Sequence, residues 1–374
     1  MKKVLFLLAM MNICFSAITI AQTADIQQLK EKANRGDAEA QCDLGNRYYK
    51  GNGVTKNYSQ AVNWYRKAAE QGYVRAQCNL GIFYENGLGV TQDYSQAVYW
   101  FRKAAELGYA DAQNFLGDCY YLGNGVTKNY SQAVNWYRKA AEQGNADAQC
   151  NLGVCYDKGN GVTKDYSQAV NWYRKAAEQG YAGAQYHLGE CYYLGNGVTK
   201  NYSQAVYWFR KAAEQGEAIA QHNLGICYFT GNGVTQDNSQ AVYWFRKAAE
   251  QGYAGAQFNL GVCYNDGIGV TKNISQAIYW YRKAAEQGNA DAQHNLGVCY
   301  ANGEGVTKDY SQAVNWYRKA AEQGYAFAQC ELGNCYYYGN GVTKNKSQAL
   351  YWYRKAAAQD ENIKNKLKSK LSEE

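Results

Sequence analysis

Twelve cysteines and three histidines are the residues of this chain best suited to disulfide formation, metal binding or nucleophilic catalysis. Apart from Cys14, the cysteines occupy two columns of a repeat of 36 residues. Seven precede a recurrent tyrosine: Cys119, Cys155, Cys191, Cys227, Cys263, Cys299 and Cys335. Four lie five residues earlier in their own repeats: Cys42, Cys78, Cys150 and Cys330. Their chemistry therefore depends on whether these regularly spaced thiols can reach one another.

A regular ladder of disulfides does not fit this spacing if the cysteines lie on helices. Cys150 and Cys155 are five residues apart, which separates them by about 7.5 Å along one helix axis. Equivalent cysteines of successive repeats are roughly 9 Å apart or more, the distance between packed helices. Both values exceed the limit of about 7 Å between the Cα atoms of a disulfide. We therefore expect the seven cysteines of the first column to be small buried apolar residues, with disulfides as the alternative.

The histidines and serines form no recognisable metal-binding or catalytic pattern. His222 and His294 share a column but are two repeats apart, and His187 lies in another column, so we predict no metal site and no cofactor. The repeated serine, as at Ser59 or Ser167, is followed three residues later by an apolar residue and not by the lysine of an S-x-x-K motif. The motifs G-x-S-x-G, G-K-[ST] and HExxH are also absent. The sequence thus predicts that the protein is not an enzyme.

The elements that carry these residues repeat along the chain. All nine tryptophans are spaced by 36 residues: Trp64, Trp100, Trp136, Trp172, Trp208, Trp244, Trp280, Trp316 and Trp352. A fixed period of this size predicts stacked supersecondary units and not a conventional globular core. The chain contains no proline, so no helix interior is interrupted.

One copy, residues 145–180, predicts two helices joined by a glycine-rich turn. Ala148 and Leu152 lie on one face of the first helix because they are four residues apart. Asp165 caps the second helix, which buries the face that carries Trp172. Two such helices cannot bury both apolar faces alone, so the neighbouring copies must cover them.

A glycine recurs inside the first helix of every copy, although it costs about 1 kcal/mol there relative to alanine. We interpret it as room for a tryptophan or tyrosine of the packed helix to approach the backbone. The nine positions are Gly45, Gly81, Gly117, Gly153, Gly189, Gly225, Gly261, Gly297 and Gly333.

The pattern A-x3-LG-x2-Y, then G-x-GV, then A-x2-WY-x2-A-A-x2-G, resembles the Sel-one-like repeat (SLR), a relative of the tetratricopeptide repeat with a longer turn. All nine copies carry it, from Asp37 to about Gln359. The resemblance implies an all-α fold, a right-handed α-solenoid that serves as an adaptor for protein complexes. In bacteria it implies an exported protein involved in envelope or host contact.

A cysteine-rich branch of that family bears on the remaining chemistry. Some of its members carry a β-lactamase label, so a β-lactamase-like or penicillin-binding hydrolase is the alternative function. The disulfides of that branch join two positions that are alanine and glutamine here, as at Ala177 and Gln185. The resemblance therefore does not extend to that disulfide framework.

The two ends of the chain differ from the repeats. Residues 1–21 combine two lysines, an apolar run and a small final residue, which is typical of a secretory signal peptide; a retained membrane anchor is the alternative. We expect an exported protein, periplasmic or secreted to the cell surface, with no transmembrane segment after signal cleavage. Residues 22–36 predict an amino-terminal capping helix, 37–359 the nine repeats, and 360–374 a carboxy-terminal capping helix.

The formal charge of +7 is spread along the chain, whereas nucleic-acid binding favours a concentrated basic stripe. We therefore expect a protein or peptide partner and no nucleic acid.

The first helices vary at particular columns among copies that are otherwise almost identical. These columns are spaced i, i+3, i+7 and i+10 and form one stripe, opposite the face of Ala148 and Leu152. The resemblance places first helices on the concave wall, so we predict that this variable stripe binds the partner; neutral drift is the alternative. The predicted contact residues are Asp118, Tyr121, Cys150, Val154, Tyr186, Glu190, Tyr193, Ile219, His222, Ile226, Phe229, Phe258, Val262, His294, Phe327, Asn334 and Tyr337.

Overall fold

The computed structural model describes residues 24–359 and 361–371, and all regular structure in those ranges is α-helical. The signal peptide predicted at residues 1–21 lies outside the described residues. No helix within the described ranges has both the length and the apolar character needed to cross a membrane.

Helix pairs follow one another through the described part of the chain. Helix α1 covers residues 24–34. The first helices of the nine pairs are α2 (Ala38–Lys50), α4 (Val74–Asn86), α6 (Ala110–Leu122), α8 (Ala146–Lys158), α10 (Ala182–Leu194), α12 (Ala218–Thr230), α14 (Ala254–Asp266), α16 (Ala290–Asn302) and α18 (Ala326–Tyr338). The second helices are α3 (Tyr58–Glu70), α5 (Tyr94–Glu106), α7 (Tyr130–Glu142), α9 (Tyr166–Glu178), α11 (Tyr202–Glu214), α13 (Asn238–Glu250), α15 (Ile274–Glu286), α17 (Tyr310–Glu322) and α19 (Lys346–Ala357). Helix α20 (Glu361–Leu371) is the last.

The chain divides into two compact units, Met1–Tyr181 and Ala182–Glu374. From α2 to α9 in the first unit, and from α10 to α20 in the second, each helix packs against the next. The predicted all-α architecture of stacked helix pairs is therefore confirmed. Helix α1 buries Ile26 and Ala33, and helix α20 buries Ile363 and Leu367; that these two helices cap the repeats stays a prediction.

The boundaries of the helices follow from local chemistry. The carboxylate of Asp165 accepts hydrogen bonds from the backbone N–H groups of Ser167 and Gln168 and so caps the amino terminus of α9. Helix α8 ends at Gly159, whose φ of 73° is in the left-handed region that favours glycine. The predicted cap and turn are both confirmed.

The glycine inside each first helix makes room for an aromatic ring, as predicted. A Cβ atom added at Gly153 would lie 2.6 Å from the Cδ1 atom of Tyr173, which is 2% exposed. The ring belongs to the tyrosine or phenylalanine that follows the tryptophan. Trp172 itself is only half-buried, and the ammonium of Lys175 lies 4.1 Å from its ring centroid. The sequence pattern predicts a more deeply buried Trp172 than the structure has, because this ring also forms part of the outer surface.

A buried glutamine links three consecutive helices, and the sequence reasoning missed it. Gln113 on α6 is 4% exposed. Its amide donates to the carbonyl oxygen of Ala105 on α5 at 3.1 Å, and its carbonyl accepts from Gln143, which follows α7, at 2.7 Å. Because both functional groups have hydrogen-bond partners, these bonds offset the cost of desolvating the buried amide.

Candidate functional site

The predicted contact residues lie on one face of the first helices and differ in their exposure. Phe327 is 52% exposed and Cys150 is 6% exposed. We leave Cys150 out of the proposed contact surface because its side chain packs inside. The others are half-buried: Asp118, Tyr121, Val154, Tyr186, Glu190, Tyr193, Ile219, His222, Ile226, Phe229, Phe258, Val262, His294, Asn334 and Tyr337.

Three predicted residues of the second unit meet around a cavity of about 190 Å³. Its lining comes from helices α10, α11 and α12 and combines one carboxylate, one amide, two rings and two aliphatic side chains. These residues, here called the Glu190 pocket, are Glu190, Tyr193, Leu194, Phe209, Asn223 and Ile226.

The carboxylate of Glu190 has two described polar neighbours, both on its own helix. Its Oε1 accepts a hydrogen bond from the Tyr186 hydroxyl at 3.1 Å. Its Oε2 lies 3.8 Å from Nδ1 of His187. The nearby His187 ring is the largest influence on the pKa of Glu190 and lowers it, against the opposing effect of burial. Glu190 is therefore ionised at neutral pH.

Aromatic rings form the apolar side of this pocket. The ring centroids of Tyr186 and Tyr193 each lie 6.2 Å from that of Phe209. Phe209 is 1% exposed and lies against Gly189, where an added Cβ atom would be 2.6 Å from its Cδ1 atom. Because Gly189 has no side chain, the Phe209 ring can lie close to the backbone of α10 and form the base of the pocket.

Asp118, in the first unit, is the counterpart of Glu190 by repeat position but has a different environment. The hydroxyl of Tyr137 donates to its Oδ1 at 2.8 Å, and the amide of Asn151 donates to the same oxygen at 3.2 Å. Burial raises the pKa of Asp118 to about 6. This carboxylate is committed to internal hydrogen bonds and contributes little accessible charge.

The two histidines of the variable stripe are packed among rings. His222 lies 5.0 Å from the Tyr253 ring and 5.8 Å from the Phe245 ring, measured between centroids. Its Nε2 lies 2.9 Å from the amide nitrogen of Asn259. Burial lowers the pKa of His222 to about 4, and burial also lowers that of His294. Both are neutral aromatic surfaces at physiological pH.

In the last repeat a lysine from α20 covers the predicted contact residues. The ammonium of Lys370 donates to the Asn334 side-chain oxygen at 2.7 Å and to the Tyr353 hydroxyl at 3.2 Å. It also lies 5.2 Å from the ring centroid of Tyr337. Asn334 and Tyr337 therefore already hold a cation supplied by the chain itself.

None of the cysteines of the two columns forms a disulfide within the described residues. The seven of the first column are buried, as predicted. Of the second column, Cys42, Cys78 and Cys150 are buried and Cys330 is half-buried. Burial raises the pKa of Cys227 to about 12, which keeps this thiol protonated. No group of three or more potential metal ligands occurs among the described residues.

The repeat has known relatives. A family model described as Sel1 repeat matches nine consecutive segments, at residues 38–73, 74–109, 110–145, 146–181, 182–217, 218–253, 254–289, 290–325 and 326–361. The secretory immunoglobulin A-binding protein EsiB of Escherichia coli O6:H1 is 45% identical over 70 residues. That match covers 18% of this chain and only 14% of the length of EsiB.

Two solved structures are similar to most of this chain. One is a protective antigen with an SLR fold, present in uropathogenic Escherichia coli strains. It is similar at 40% identity with a TM-score of 0.56, over 93% of this chain and 91% of that chain. The other is a Sel1 repeat protein from Oxalobacter formigenes, with 34% identity and a TM-score of 0.61, over 82% of this chain and 89% of that chain.

Proposed function

Because this chain belongs to the Sel1 repeat family, whose scaffold fold is typical of protein–protein interaction, we propose that it is an exported adaptor. It binds a protein or peptide partner along the face formed by the first helices of its repeats. Export rests on the signal-peptide pattern of residues 1–21.

The observation that carries this proposal is the Glu190 pocket and its surroundings. Aromatic and aliphatic side chains that line an accessible cavity are typical of the centre of a protein contact. Tyr193 is already held against the rings of Tyr202 and Phe209. Because these rings are fixed before a partner arrives, little conformational entropy is lost on binding.

The relatives support a protein as the class of ligand, but they do not identify a particular partner. EsiB is named for binding secretory immunoglobulin A, and we extend to this chain only the broader class of a protein ligand. The hydrolase alternative has no contact among the described residues in its favour: Ser59, one copy of the repeated serine, donates its hydroxyl to the carbonyl oxygen of Gly89.

Affinity capture with two matched triple variants tests the proposal. The inner variant carries Tyr193→Ala, Ile226→Ala and Phe229→Ala. The outer variant removes tyrosines that are 46–49% exposed on second helices of the same unit; it carries Tyr207→Ala, Tyr243→Ala and Tyr279→Ala. We expect the parent and the outer variant to retain the same partner from extracts of the source organism, and the inner variant to lose it.

Circular dichroism first checks that both triple variants are folded. Retention of the partner by a folded inner variant, or loss by the outer variant alone, would contradict the proposed surface.

A further inference from the structure

Glu190 lacks a hydrogen-bond donor that its polar counterparts have. In three other repeats the residue of this column is polar, and a tyrosine 19 residues later donates its hydroxyl to it. These pairs are Tyr65 with Asn46 at 2.9 Å, Tyr137 with Asp118 at 2.8 Å and Tyr353 with Asn334 at 2.8 Å. The residue 19 positions after Glu190 is Phe209, which has no hydroxyl. The Phe209 ring therefore donates no hydrogen bond to this carboxylate, which keeps the bond from the Tyr186 hydroxyl on its own helix.

The last repeat indicates which group fits such a space. Lys370 lies 36 residues after Asn334, and its ammonium contacts the Asn334 oxygen at 2.7 Å. The same ammonium lies 5.2 Å and 5.1 Å from the ring centroids of Tyr337 and Tyr353, within the range of cation–π attraction. A polar oxygen above two rings thus holds a lysine in this protein.

The Glu190 pocket has the same arrangement with its cation missing from the sequence. Tyr193 and Phe209 stand at the repeat positions of Tyr337 and Tyr353, and Glu190 at that of Asn334. The counterpart of Lys370 is Ile226, which lines the pocket but carries no charge. Instead of a lysine, a cavity of about 190 Å³ lies beside the carboxylate.

We propose that the Glu190 pocket binds a lysine or arginine side chain of the protein partner. This inference rests on the proposed function and deepens it. The carboxylate supplies the opposite charge, the two rings attract the cation, and Leu194 and Ile226 cover its aliphatic stem. The cavity is smaller than the roughly 300–1,000 Å³ of small-molecule sites, which suits one side chain. The Glu190 side chain is 43% exposed, so its carboxylate is accessible to a partner.

A library of random peptides displayed on phage tests this inference with the purified full chain. We expect the selected peptides to share a lysine or arginine whose replacement by norleucine weakens binding about tenfold or more. Glu190→Gln should weaken the same peptides about tenfold. Glu304→Gln, which removes an exposed carboxylate outside the pocket, should leave the affinity unchanged.

A second variant places a lysine of the chain itself in the Glu190 pocket. Ile226→Lys copies the position of Lys370 and is expected to fill the pocket, so that basic peptides bind about tenfold more weakly while the helical content is unchanged. Fluorescence anisotropy of labelled peptides at two salt concentrations measures both variants, and the affinity of the parent should fall with salt.

The outcomes separate this inference from the proposed function. The inference would be overturned if the selected peptides lack a basic residue and bind Glu190→Gln as tightly as the parent. If the inner triple variant nevertheless fails to bind these peptides, the proposed function still stands. If no peptide is selected, or if binding is indifferent to the inner triple variant, both fail.

Discussion

Replacing Gly261 by alanine should destabilise the repeat that contains it. Gly261 lies inside α14, and a Cβ atom there would be 2.6 Å from Cδ1 of Tyr281 and 3.3 Å from the carbonyl oxygen of Ala277. The Tyr281 side chain is 2% exposed and belongs to a core cluster with Leu296. The ring therefore cannot retreat unless α15 moves with it.

Two opposing effects set the size of this loss. Alanine is favoured over glycine in a helix interior by about 1 kcal/mol, whereas overpacking a core costs about 1–3 kcal/mol. The new methyl group is blocked by a ring on one side and by a backbone oxygen on the other, so overpacking is expected near the top of its range. We predict that the free energy of unfolding falls by about 1–2 kcal/mol.

The same helix offers a matched control. A Cβ atom at Gly255 would be 3.1 Å from Cε1 of Tyr253 and otherwise no closer than 3.5 Å to a neighbour, and the corresponding positions of other repeats hold Ile219 and Phe327. Gly255→Ala should therefore be neutral or stabilise the protein by up to about 1 kcal/mol.

Urea unfolding followed by far-ultraviolet circular dichroism measures both variants. In a Tyr281→Leu background the cost of Gly261→Ala should shrink, because the ring that it meets has been removed. Two results would contradict the role of these glycines in making room for the rings. One is a Gly261→Ala variant as stable as the parent, and the other is a loss of unfolding free energy that Tyr281→Leu does not reduce.

Three further predictions concern buried polar groups. Burial raises the pKa of Asp118 to about 6, so its ionised form is disfavoured in the fold. Asp118→Asn keeps an acceptor for Tyr137 and should raise the free energy of unfolding at pH 7 by about 1–2 kcal/mol, a gain that fades in urea titrations as the pH falls from about 6 towards 4. His222 has a pKa lowered to about 4, so stability that is full above about pH 6.5 is lost as the pH falls towards 4. His222→Phe, which copies Phe258, should flatten that decline, and an unchanged decline would contradict this. Cys227 is 0% exposed, and Cys227→Ser should cost about 1–3 kcal/mol in thermal denaturation if its hydroxyl finds no partner; an unchanged melting temperature would contradict this.

The repeat period and its glycines predict most of the fold. A 36-residue period with Gly153 inside the first helix requires a close ring, and the structure places Tyr173 there. The buried amide of Gln113 was not predictable in the same way. Glutamine is mostly a surface residue, and its partners Ala105 and Gln143 are on two other helices.

The constant outer columns have a structural cause that sequence comparison among the copies did not reveal. The ammonium of Lys175 lies over Trp172, and Arg138 donates to the Tyr156 hydroxyl at 3.2 Å, joining one repeat to the next. These contacts restrain the side chains of the outer face. Contacts within one helix and between repeats thus both restrict substitution on the outer face.

The candidate site was predicted as a stripe, but the pocket within it was not. One feature of the sequence could have indicated the pocket. The polar residues Asn46, Asp118 and Asn334 each precede a tyrosine by 19 residues, whereas Glu190 in the same column precedes Phe209. Only the structure shows that this tyrosine donates to the polar residue. Without that contact the change from tyrosine to phenylalanine looks like a conservative substitution.

Site-specific photo-cross-linking tests the central claim most directly. Benzoylphenylalanine is introduced in place of Tyr193 or Phe229 on first helices, and in place of Tyr207 or Tyr243 on second helices as the matched control. The protein is then irradiated in extracts of the source organism. The account predicts one protein adduct from the first-helix positions and none from the controls. Adducts from the second-helix positions alone, or from none of the four, would contradict it.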